Sequence, residues 1–580
     1  MAHNIYNIAA AVITLGISAT ATADDLTKEI TVEKDIVVQE REAQKLSQLP
    51  QFNLPAIETK KLSWTDRGVA APLTHDITLL PPAAYAASIA KSPYRGYIDA
   101  GYFPTFELGV SAGYRIIDND ATRLGAWLQY DGSDYKRNNR EGDKLHMRDH
   151  TATIGMNLRH SVGEAGTLDA HLAYSLSAFK SPALTGDPTS QTANTVQAGI
   201  GWQGTAGSFR YNAAVDYGFF NFSEGMSTGS MGGTNIKPLT ENHATITLGG
   251  VYGLNENNYI GADINTAFAG ATNTVKIISS GAIFSHEMRG NYNHGYVAVT
   301  PYYRHVAPSY SFKIGLQLYD TWGGDNGFRV APDIRADWHS GDKFAIYARF
   351  SGGTPSLNSM SSLFAVNHYI NPSLAYGDSW RQWNVDAGFI IGPFSGASIE
   401  AWGGTGKAKN LLLPALFTNF NNLDGMYSAI DFTNLHYGVA LNYNYRDMAS
   451  LRIAYEGAPQ EYDKGNALWL DRAKNVLDAT LTVTPIKALD LSLGYELRSG
   501  RATYEVSPSG IGQAQFADNL YVQRVKLGDV SNLRFGASYK ITEAFTVGAQ
   551  LDNLLNEKWD TFYGIPAKGI SGLVGIGYKF

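Results

Sequence analysis

The chain has 580 residues, and its 46 Lys and Arg against 53 Asp and Glu give a formal net charge of −7. This acidic balance excludes a nucleic-acid partner, because no basic surplus is present to neutralise phosphates. A mean hydropathy of −0.19 excludes a bundle of membrane helices, and the lack of cysteine excludes a lipoprotein anchor, disulfides and thiolate metal sites. Charged residues make up only 17%, whereas there are 60 Gly and 34 Tyr, which fits strands with lipid on one face and water on the other.

Residues 1–23 are predicted to be a secretory signal peptide. The segment contains the apolar run IAAAVITLGI, and Ala21-Thr22-Ala23 supplies a small-x-small cleavage site ahead of Asp24. The protein is therefore expected to be exported.

Residues 24–94 are predicted to be a periplasmic N-terminal segment. Charged residues are dense in its first part, proline recurs, and long alternating strands are missing. The β-prone stretch that contains Glu29, Ile30, Thr31 and Val32 could add as a strand to the sheet edge of a partner. The alternative is a leader that has some β propensity but no partner.

Residues 95–580 carry a persistent alternation of apolar and polar side chains. In the first clear example the apolar set is Phe106, Leu108, Val110, Ala112, Tyr114 and Ile116. The same separation recurs in residues 151–159, 168–177, 311–318, 435–444 and 489–498. The polar set is Gly, Ser, Asn and isolated charges rather than the Lys, Glu and Thr of a soluble sandwich. The pattern therefore predicts an all-β protein, a closed antiparallel transmembrane β-barrel with lipid outside and a polar lumen inside.

Connection lengths alternate along this part of the chain. Short connections are predicted near residues 117–120, 160–166, 204–207, 253–257, 306–309, 339–342, 392–395, 446–448, 485–488 and 541–544. Longer segments are predicted at 134–147, 180–191, 222–239, 269–294, 321–327, 354–378, 404–426, 457–472, 499–527 and 556–570. Short periplasmic turns and longer outer loops are typical of outer-membrane barrels, and the alternation predicts about 22 strands with both termini in the periplasm.

The last strand has the pattern expected of such a barrel. Its apolar side chains Val574, Ile576, Tyr578 and Phe580 alternate with Gly and Lys. A terminal aromatic residue is typical of barrels from the Gram-negative outer membrane, so Tyr578 and Phe580 are predicted to be the signal for barrel assembly. The alternative for this strand alone is the edge of a soluble sheet.

Residues 547–580 resemble the last two strands of TonB-dependent outer-membrane receptors. The likeness rests on Asn553-Leu554-Leu555-Asn556-Glu557-Lys558-Trp559, which follows an apolar strand and precedes a loop with Pro and Gly. Segments 326–338 and 356–374 are also similar to a shorter, plug-lacking branch of such barrels from Bacteroidetes-type bacteria. The resemblance implies transport assisted by TonB, and residues 29–32 are similar to a TonB box.

Members of this family carry a globular plug between signal peptide and barrel, whereas residues 24–94 hold no plug-like succession of strands. The chain is therefore predicted to lack a standard plug. Because a lumen of this size is wide enough to need closing, residues 24–94 with inward-folded loops, or a separate protein, are expected to fill it. The predicted partners are outer-membrane lipid, the barrel-assembly machinery, and TonB or a separate plug or periplasmic protein.

No catalytic, cofactor or metal site is predicted. Asp169, His171, His436 and Glu496 could be read as a hydrolytic set, but their spacing assembles no nucleophile, base and orienting group, and lumen polarity accounts for them. His146 and His150 would share a metal on a helix, whereas in a strand they lie about 13 Å apart.

Two further groups of residues are interpreted from the alternation. The arginines predicted to point inward are Arg115, Arg159, Arg210, Arg452, Arg498 and Arg534. The aromatic residues predicted to form an interfacial girdle at strand ends include Tyr102, Phe103, Tyr302 and Tyr303.

Two functions remain open at this point. As a transport protein, the barrel would move a nutrient or chelate through its lumen with plugging or energy supplied by a partner. As a structural or assembly subunit, it would scaffold partners without conducting. Both hypotheses place the chain in the outer membrane of a Gram-negative bacterium, and neither is an enzyme.

Overall fold

The computed structural model describes residues 93–580 with internal gaps. The gaps are 139–141, 143, 182–188, 223–226, 229–233, 237–238, 279–284, 324–326, 354–355, 358, 367, 369–377, 420–421, 447, 459–472, 508–513, 518–519 and 563–564. The predicted signal peptide, almost all of segment 24–94 and the TonB-box-like residues 29–32 lie outside the described residues.

The chain forms a closed antiparallel barrel of 22 strands, which confirms the predicted fold class and strand number. The strands are β1 (Gly96–Phe103), β2 (Glu107–Asp118), β3 (Thr122–Asn138), β4 (Lys144–Ser161), β5 (Thr167–Ser181), β6 (Thr189–Ala206), β7 (Phe209–Phe222), β8 (Leu239–Gly253), β9 (Asn258–Ile278), β10 (Ser285–Val306), β11 (Tyr310–Trp322), β12 (Gly327–Ser340), β13 (Phe344–Ser351), β14 (Asp378–Phe394), β15 (Ala397–Asn419), β16 (Asn422–Tyr445), β17 (Ala449–Gly457), β18 (Asn475–Ile486), β19 (Leu489–Ser499), β20 (Val530–Lys540), β21 (Phe545–Asp552) and β22 (Ser571–Lys579). All ten predicted short connections fall between successive strands.

Closure of the barrel joins β1 to β22 over six register pairs. The backbone N–H of Gly96 donates to the carbonyl oxygen of Phe580 at 2.7 Å, and the N–H of Phe580 donates back to Gly96 at 3.0 Å. The Phe580 ring stacks on Tyr114 with centroids 6.2 Å apart and on Tyr578 at 6.0 Å. The last residue therefore completes the seam with its backbone and covers it with its ring.

Apolar side chains line the outer wall, as the alternation predicts. Ile154, Leu172, Ile314 and Ile576 each expose between 52% and 54% of their surface. Burying such side chains is worth about 25 cal/mol per Å², so a continuous exposed band on every side of the barrel requires hydrocarbon around it. The other face of each strand lines the lumen.

Several segments predicted as outer loops are strand instead. β9 and β10 remain paired as far as Ile278 and Ser285, and β15 and β16 remain paired as far as Asn419 and Asn422. These stretches lack strict alternation of apolar and polar side chains. Backbone hydrogen bonds between the two strands extend each hairpin without needing an amphipathic face, so the pattern missed them.

The predicted aromatic girdle was wrong for Tyr302. Tyr302 pairs with Gly315 on the lumen face, where Lys313 Nζ lies 4.1 Å from its ring centroid. Tyr303 pairs with the exposed Ile314 and faces outward. Successive side chains of a strand point to opposite faces, so two adjacent aromatic residues cannot both join the girdle.

The connections carry the remaining elements. One helix, α1 (Met360–Val366), lies between β13 and β14, and a 3₁₀ turn occupies Gly163–Ala165. Short strands in the longer connections are Ser227–Thr228, Thr234–Ile236, Ser356–Leu357, Ala502–Ser507, Ala514–Ala517, Leu520–Lys526, Asp560–Phe562 and Ile565–Pro566. Within the described part of the chain, no helix is long and apolar enough to cross a membrane.

Candidate lumenal site

An aromatic cluster lines the lumen at the end that carries the longer connections. Phe179 of β5 and Phe220 and Phe222 of β7 alternate with outward-facing residues of the same strands, and each is at most 5% exposed. The small residues Ala193 of β6 and Ala271 of β9 complete the cluster. Since these side chains face the inside of a wide barrel, their burial requires another part of the chain to cover them.

Helix α1 is that cover. Met360 is fully buried against the cluster, and the Phe364 ring lies 5.3 Å from the Phe220 ring and 5.7 Å from the Phe179 ring, measured between centroids. Aromatic pairs of this kind contribute about 0.5–1.5 kcal/mol beyond the area they bury. The described part of this connection between β13 and β14, α1, therefore lies inside the lumen rather than above the barrel.

A buried carboxylate holds the start of α1. Glu241 of β8 is 1% exposed, its Oε2 accepts the N–H of Met360 at 2.6 Å, and its Oε1 lies 3.5 Å from the N–H of Ser361. The Ser359 hydroxyl accepts the N–H of Ser362 at 3.1 Å. First-turn N–H groups lack intrahelical partners and lie at the positive end of the helix dipole, so a carboxylate and a serine cap suit this position.

Two histidines add polar contacts at the edge of this interface. His243 Nδ1 lies 3.7 Å from Glu241 Oε1 on the same strand. His368, just beyond α1, places Nε2 at 3.0 Å from Asp149 Oδ2 of β4, and its ring lies 4.9 Å from the Phe179 ring. The connection is thus attached to β4, β5, β7 and β8 by side chains.

Gly353 turns the chain from β13 into the lumen. Its φ is +72°, and a Cβ added there would lie 2.5 Å from Ala331 Cβ and 2.9 Å from the Tyr319 ring. Its N–H donates to the carbonyl oxygen of Arg381 at 2.5 Å. Both the backbone conformation and the close approach therefore require glycine.

The connection of residues 553–570 also bends over the lumen. Ile565 is 3% exposed and packs on Leu145 and Met147, which face inward from β4. The Tyr135 hydroxyl of β3 donates to the carbonyl oxygen of Pro566 at 3.2 Å. Two of the longer connections therefore narrow this end of the lumen from different parts of the wall.

The Asn-Leu-Leu-Asn motif organises this second connection. Asn553 has a φ of 50° and is 3% exposed, and its side-chain amide donates to the carbonyl oxygens of Glu557 and Lys568 at 3.0 Å each. Its Oδ1 accepts the N–H of Glu557 at 2.9 Å. Lys568 Nζ then contacts Glu107 Oε1 of β2 at 2.8 Å. One side chain thus joins both ends of the loop, and a lysine attaches the loop to the wall.

Further into the barrel, the wall carries local ion pairs between neighbouring strands or within one strand. Measured between a side-chain nitrogen and a carboxylate oxygen, they are Arg159–Asp169 at 2.7 Å, His171–Asp216 at 3.6 Å, Lys313–Asp333 at 2.7 Å, His436–Asp386 at 3.0 Å, Arg498–Glu496 at 2.5 Å and Arg534–Asp478 at 2.8 Å. The inward arginines are therefore placed where the alternation predicts, and four of them engage carboxylates: Arg159, Arg498 and Arg534 in the pairs above, and Arg115, which contacts Asp118.

The four residues weighed as a hydrolytic set remain apart. Asp169 and His171 lie on β5, whereas His436 lies on β16 and Glu496 on β19, and each has its own local partner. The described residues contain no group of three or more His, Asp or Glu side chains arranged to hold a metal ion. The sequence analysis missed α1 and Glu241, for which the only local signal was Ser359 ahead of a short helix-compatible run.

Comparison with known proteins identifies relatives of the fold. No protein-family model matches the chain, and no curated protein sequence matches it significantly. Similar solved structures include the copper transporter OprC, with 9% identity, a TM-score of 0.58 and coverage of 84% of this chain and 80% of that one. The FrpB iron transporter from Neisseria meningitidis has 11% identity, a TM-score of 0.61 and coverage of 85% and 82%. A variant of the ferric enterobactin receptor PfeA from Pseudomonas aeruginosa has 11% identity, a TM-score of 0.62 and coverage of 84% and 80%.

At these identities the likeness establishes the fold. The chain is a transmembrane β-barrel of the outer-membrane type, similar to TonB-dependent receptors. The resemblance seen in residues 547–580 is confirmed at this level.

Proposed function

We propose that this chain imports a nutrient or metal chelate through its lumen across the outer membrane of a Gram-negative bacterium. The observation that carries the proposal is the docking of α1, through Met360 and Phe364, on the lumen wall. In this proposal α1, two turns held by one carboxylate and a few aromatic contacts, leaves the wall and returns as the transport gate. A barrel filled for purely structural reasons has no need of a cover that can detach.

The relatives of the fold favour a metal-containing cargo. By their descriptions they are a copper transporter, an iron transporter and a ferric enterobactin receptor. The lumen wall supplies cations and carboxylates paired between neighbouring strands or within one strand, and a charged chelate would replace these contacts with its own. The proposed cargo class is therefore a charged metal chelate.

The proposed transporter works without a standard plug. Residues 1–23 are its signal peptide, residues 24–94 its short periplasmic segment and residues 95–580 the barrel. The described parts of the two inward connections, α1 and the segments around Asn553 and Ile565, take over closure at the outer side. TonB, contacted through residues 29–32, or a separate periplasmic plug protein is the proposed partner at the inner side.

A reversible lock on α1 tests the gate. Because the chain contains no cysteine, Phe220→Cys with Phe364→Cys can be joined by a short, reducible bifunctional thiol reagent. Cells that express this barrel are given radiolabelled iron and copper, free and as hydroxamate or catecholate chelates. We expect uptake of at least one form, loss of uptake on cross-linking and recovery on reduction. Phe364→Cys alone, treated in the same way, is the control, and uptake unaffected by the lock would contradict the gate.

A non-conducting structural or assembly subunit is the second candidate. It is favoured by the pairing of lumen cations such as Arg159 and Arg534 with Asp169 and Asp478, which leaves a wall that is already neutralised locally. Purification from native membranes separates the two candidates. A stoichiometric partner together with no uptake of any chelate would support the scaffold and exclude the transporter.

We also propose that Tyr578 and Phe580 form the assembly signal. Phe580→Ser keeps the backbone bonds to Gly96 but removes the ring, so we expect several-fold less folded barrel in cells and nearly normal refolding in detergent. Heat modifiability on gels measures the folded fraction in both settings. Phe394→Ser is the matched control, because Phe394 lies near a short turn and is 52% exposed, against 45% for Phe580. If the folded fraction of Phe580→Ser fell equally in cells and in detergent, Phe580 would act only by stacking its ring in the folded barrel and would not be an assembly signal.

A further inference from the structure

Basic side chains gather on the outer surface of β3, β4 and β5, and we call this group the outer basic patch. It consists of Lys136, Lys144, Arg148 and Lys180. Each residue lies an even number of positions from an outward apolar residue of its own strand, such as Leu128, Ile154 or Leu176, all of which are exposed. Register and contacts bring the members together: Arg148 pairs with Asp134, Lys136 with His146 and Lys144 with Asn138, and Lys180 Nζ lies 3.4 Å from His146 Nδ1.

The patch begins where the apolar band ends. Tyr130 and His150 mark the boundary: the Tyr130 hydroxyl lies 2.8 Å from His150 Nδ1, and the rings stack with centroids 6.1 Å apart. Arg148 lies four residues beyond Ala152, and Lys180 lies two residues beyond Ala178. At about 3.3 Å per residue these charges are roughly 7–13 Å along the strand from the last apolar outward position. They therefore lie at the depth of the headgroups of the outer leaflet.

The cations of the patch outnumber its carboxylates. In the described parts of these three strands beyond Tyr130, Asp134 is the outward carboxylate. Asp134 Oδ1 is contacted by His146 Nε2 at 2.5 Å, and Lys180 Nζ lies 3.4 Å from His146 Nδ1. Four cations then face one carboxylate, in a chain whose formal net charge is −7.

Between β7 and β8, and between β17 and β18, the corresponding outward positions carry uncharged polar side chains, whereas Asp320 of β11 is an outward carboxylate and Lys407 of β15 an outward cation. The Tyr217 hydroxyl donates to Asn242 at 2.6 Å, and Asn221 donates to Thr240 at 3.2 Å, between β7 and β8. Between β17 and β18, the Tyr455 hydroxyl donates to Asn475 at 2.8 Å. Amides and hydroxyls are thus sufficient for ordinary contact with headgroups and water. Four cations on three adjacent strands indicate an anionic ligand.

We propose that the outer basic patch binds the phosphate groups of a phosphorylated glycolipid in the outer leaflet. The exposed side chains of Ile154, Leu172 and Leu176 continue directly below the patch and would lie against the acyl chains of the same molecule. Arginine can bind phosphate oxygens in a bidentate manner, and lysines beside it add charge. A free phosphate ion would contact only the cations, whereas the acyl chains of a lipid would also contact the apolar side chains below the patch. The favoured ligand is therefore a phosphate carried by a lipid.

Binding of purified lipid A to the full-length barrel in detergent tests the proposal. The patch variant combines Lys136→Gln, Arg148→Gln and Lys180→Gln, and the control variant combines Lys343→Gln, Arg446→Gln and Lys487→Gln. Both variants remove three positive charges, and the control residues are exposed in turns and loops away from the patch. We expect about 100-fold weaker binding by the patch variant and less than a twofold change in the control.

Three further arms distinguish the source of the phosphate. Dephosphorylated lipid A is expected to bind the unsubstituted barrel as weakly as intact lipid A binds the patch variant. Inorganic phosphate at millimolar concentration is expected to leave lipid A binding unchanged, and full competition would overturn the lipid assignment. Arg148→Lys with Lys180→Arg keeps the charges and is expected to retain binding, so a folding defect in the triple variant cannot imitate the result. Equal binding by patch and control variants would overturn the proposal.

Discussion

Glu241→Ala is expected to release α1 from the lumen wall while leaving the barrel intact. The substitution removes the acceptor of the Met360 N–H and leaves first-turn N–H groups without a partner in a buried site. A hydrogen bond to a charged group contributes about 1.5–3 kcal/mol. The undocked fraction of α1 should therefore rise by about 10- to 100-fold. Glu241→Gln keeps one acceptor oxygen and should have a smaller effect.

Thiol labelling measures the undocked fraction directly. Met360→Cys is buried in the docked state, because Met360 is 0% exposed. We expect a membrane-impermeant maleimide added to intact cells to label this cysteine at least ten times faster when Glu241 is Ala. Leu555→Cys, at a residue 49% exposed in the other inward connection, is the labelling control and should react equally in both backgrounds. An unchanged rate at position 360 would show that the aromatic contacts alone hold the helix.

Gly575→Ala is expected to destabilise the closed barrel far more than Gly548→Ala, the same change at its register partner on β21. Gly575 lies in β22 between Gly101 of β1 and Gly548 of β21. A Cβ at Gly575 would lie 2.2 Å from the backbone oxygen of Ala100, which cannot move without breaking the seam, whereas a Cβ at Gly548 meets no atom closer than 3.5 Å. Overpacking of this kind costs about 1–3 kcal/mol.

Urea titration of the refolded barrel, followed by tryptophan fluorescence and heat modifiability, measures the difference. We expect Gly575→Ala to lower the free energy of unfolding by about 1–3 kcal/mol, and Gly548→Ala to stay within about 0.5 kcal/mol of the unsubstituted chain. Both residues lie at the same level on adjacent strands, so the two variants are matched in membrane depth and in secondary structure. Equal losses would mean that the seam adjusts to an added methyl group and that glycine is not required there.

The gate and the seam depend on different parts of the barrel. The seam joins β1 to β22 through backbone bonds that end at Phe580. The gate attaches a connection between β13 and β14 to β4, β5, β7 and β8. Glu241→Ala should therefore leave the urea transition unchanged, and Gly575→Ala should leave the labelling of docked α1 unchanged in the fraction that folds. This independence separates a functional defect from a folding defect.

The amino-acid sequence by itself determined the wall of this protein. Successive side chains of a strand point to opposite faces. In runs such as 106–116 and 435–444 the residue types alone therefore show which side chains face lipid and which face the lumen. Short connections at regular intervals determined the strand number. The alternation of apolar residues with Gly and Lys up to Tyr578 and Phe580 identified the last strand, at which the barrel closes. These are local properties, and neighbouring residues are enough to express them.

Only the tertiary structure decided what lies inside the wall. Phe179 and Phe220 look like ordinary lumen positions until closure of the barrel brings α1 against them from residues 360–366. Glu241 is an isolated charge in the sequence, and its role comes from meeting the first turn of a helix about 120 residues later. Contacts of this length depend on the path of a connection through space, which no local periodicity encodes. The same reason explains why hairpins such as β15–β16 extend further than their side-chain pattern predicts: the partner strand, not the amphipathic face, supplies the hydrogen bonds.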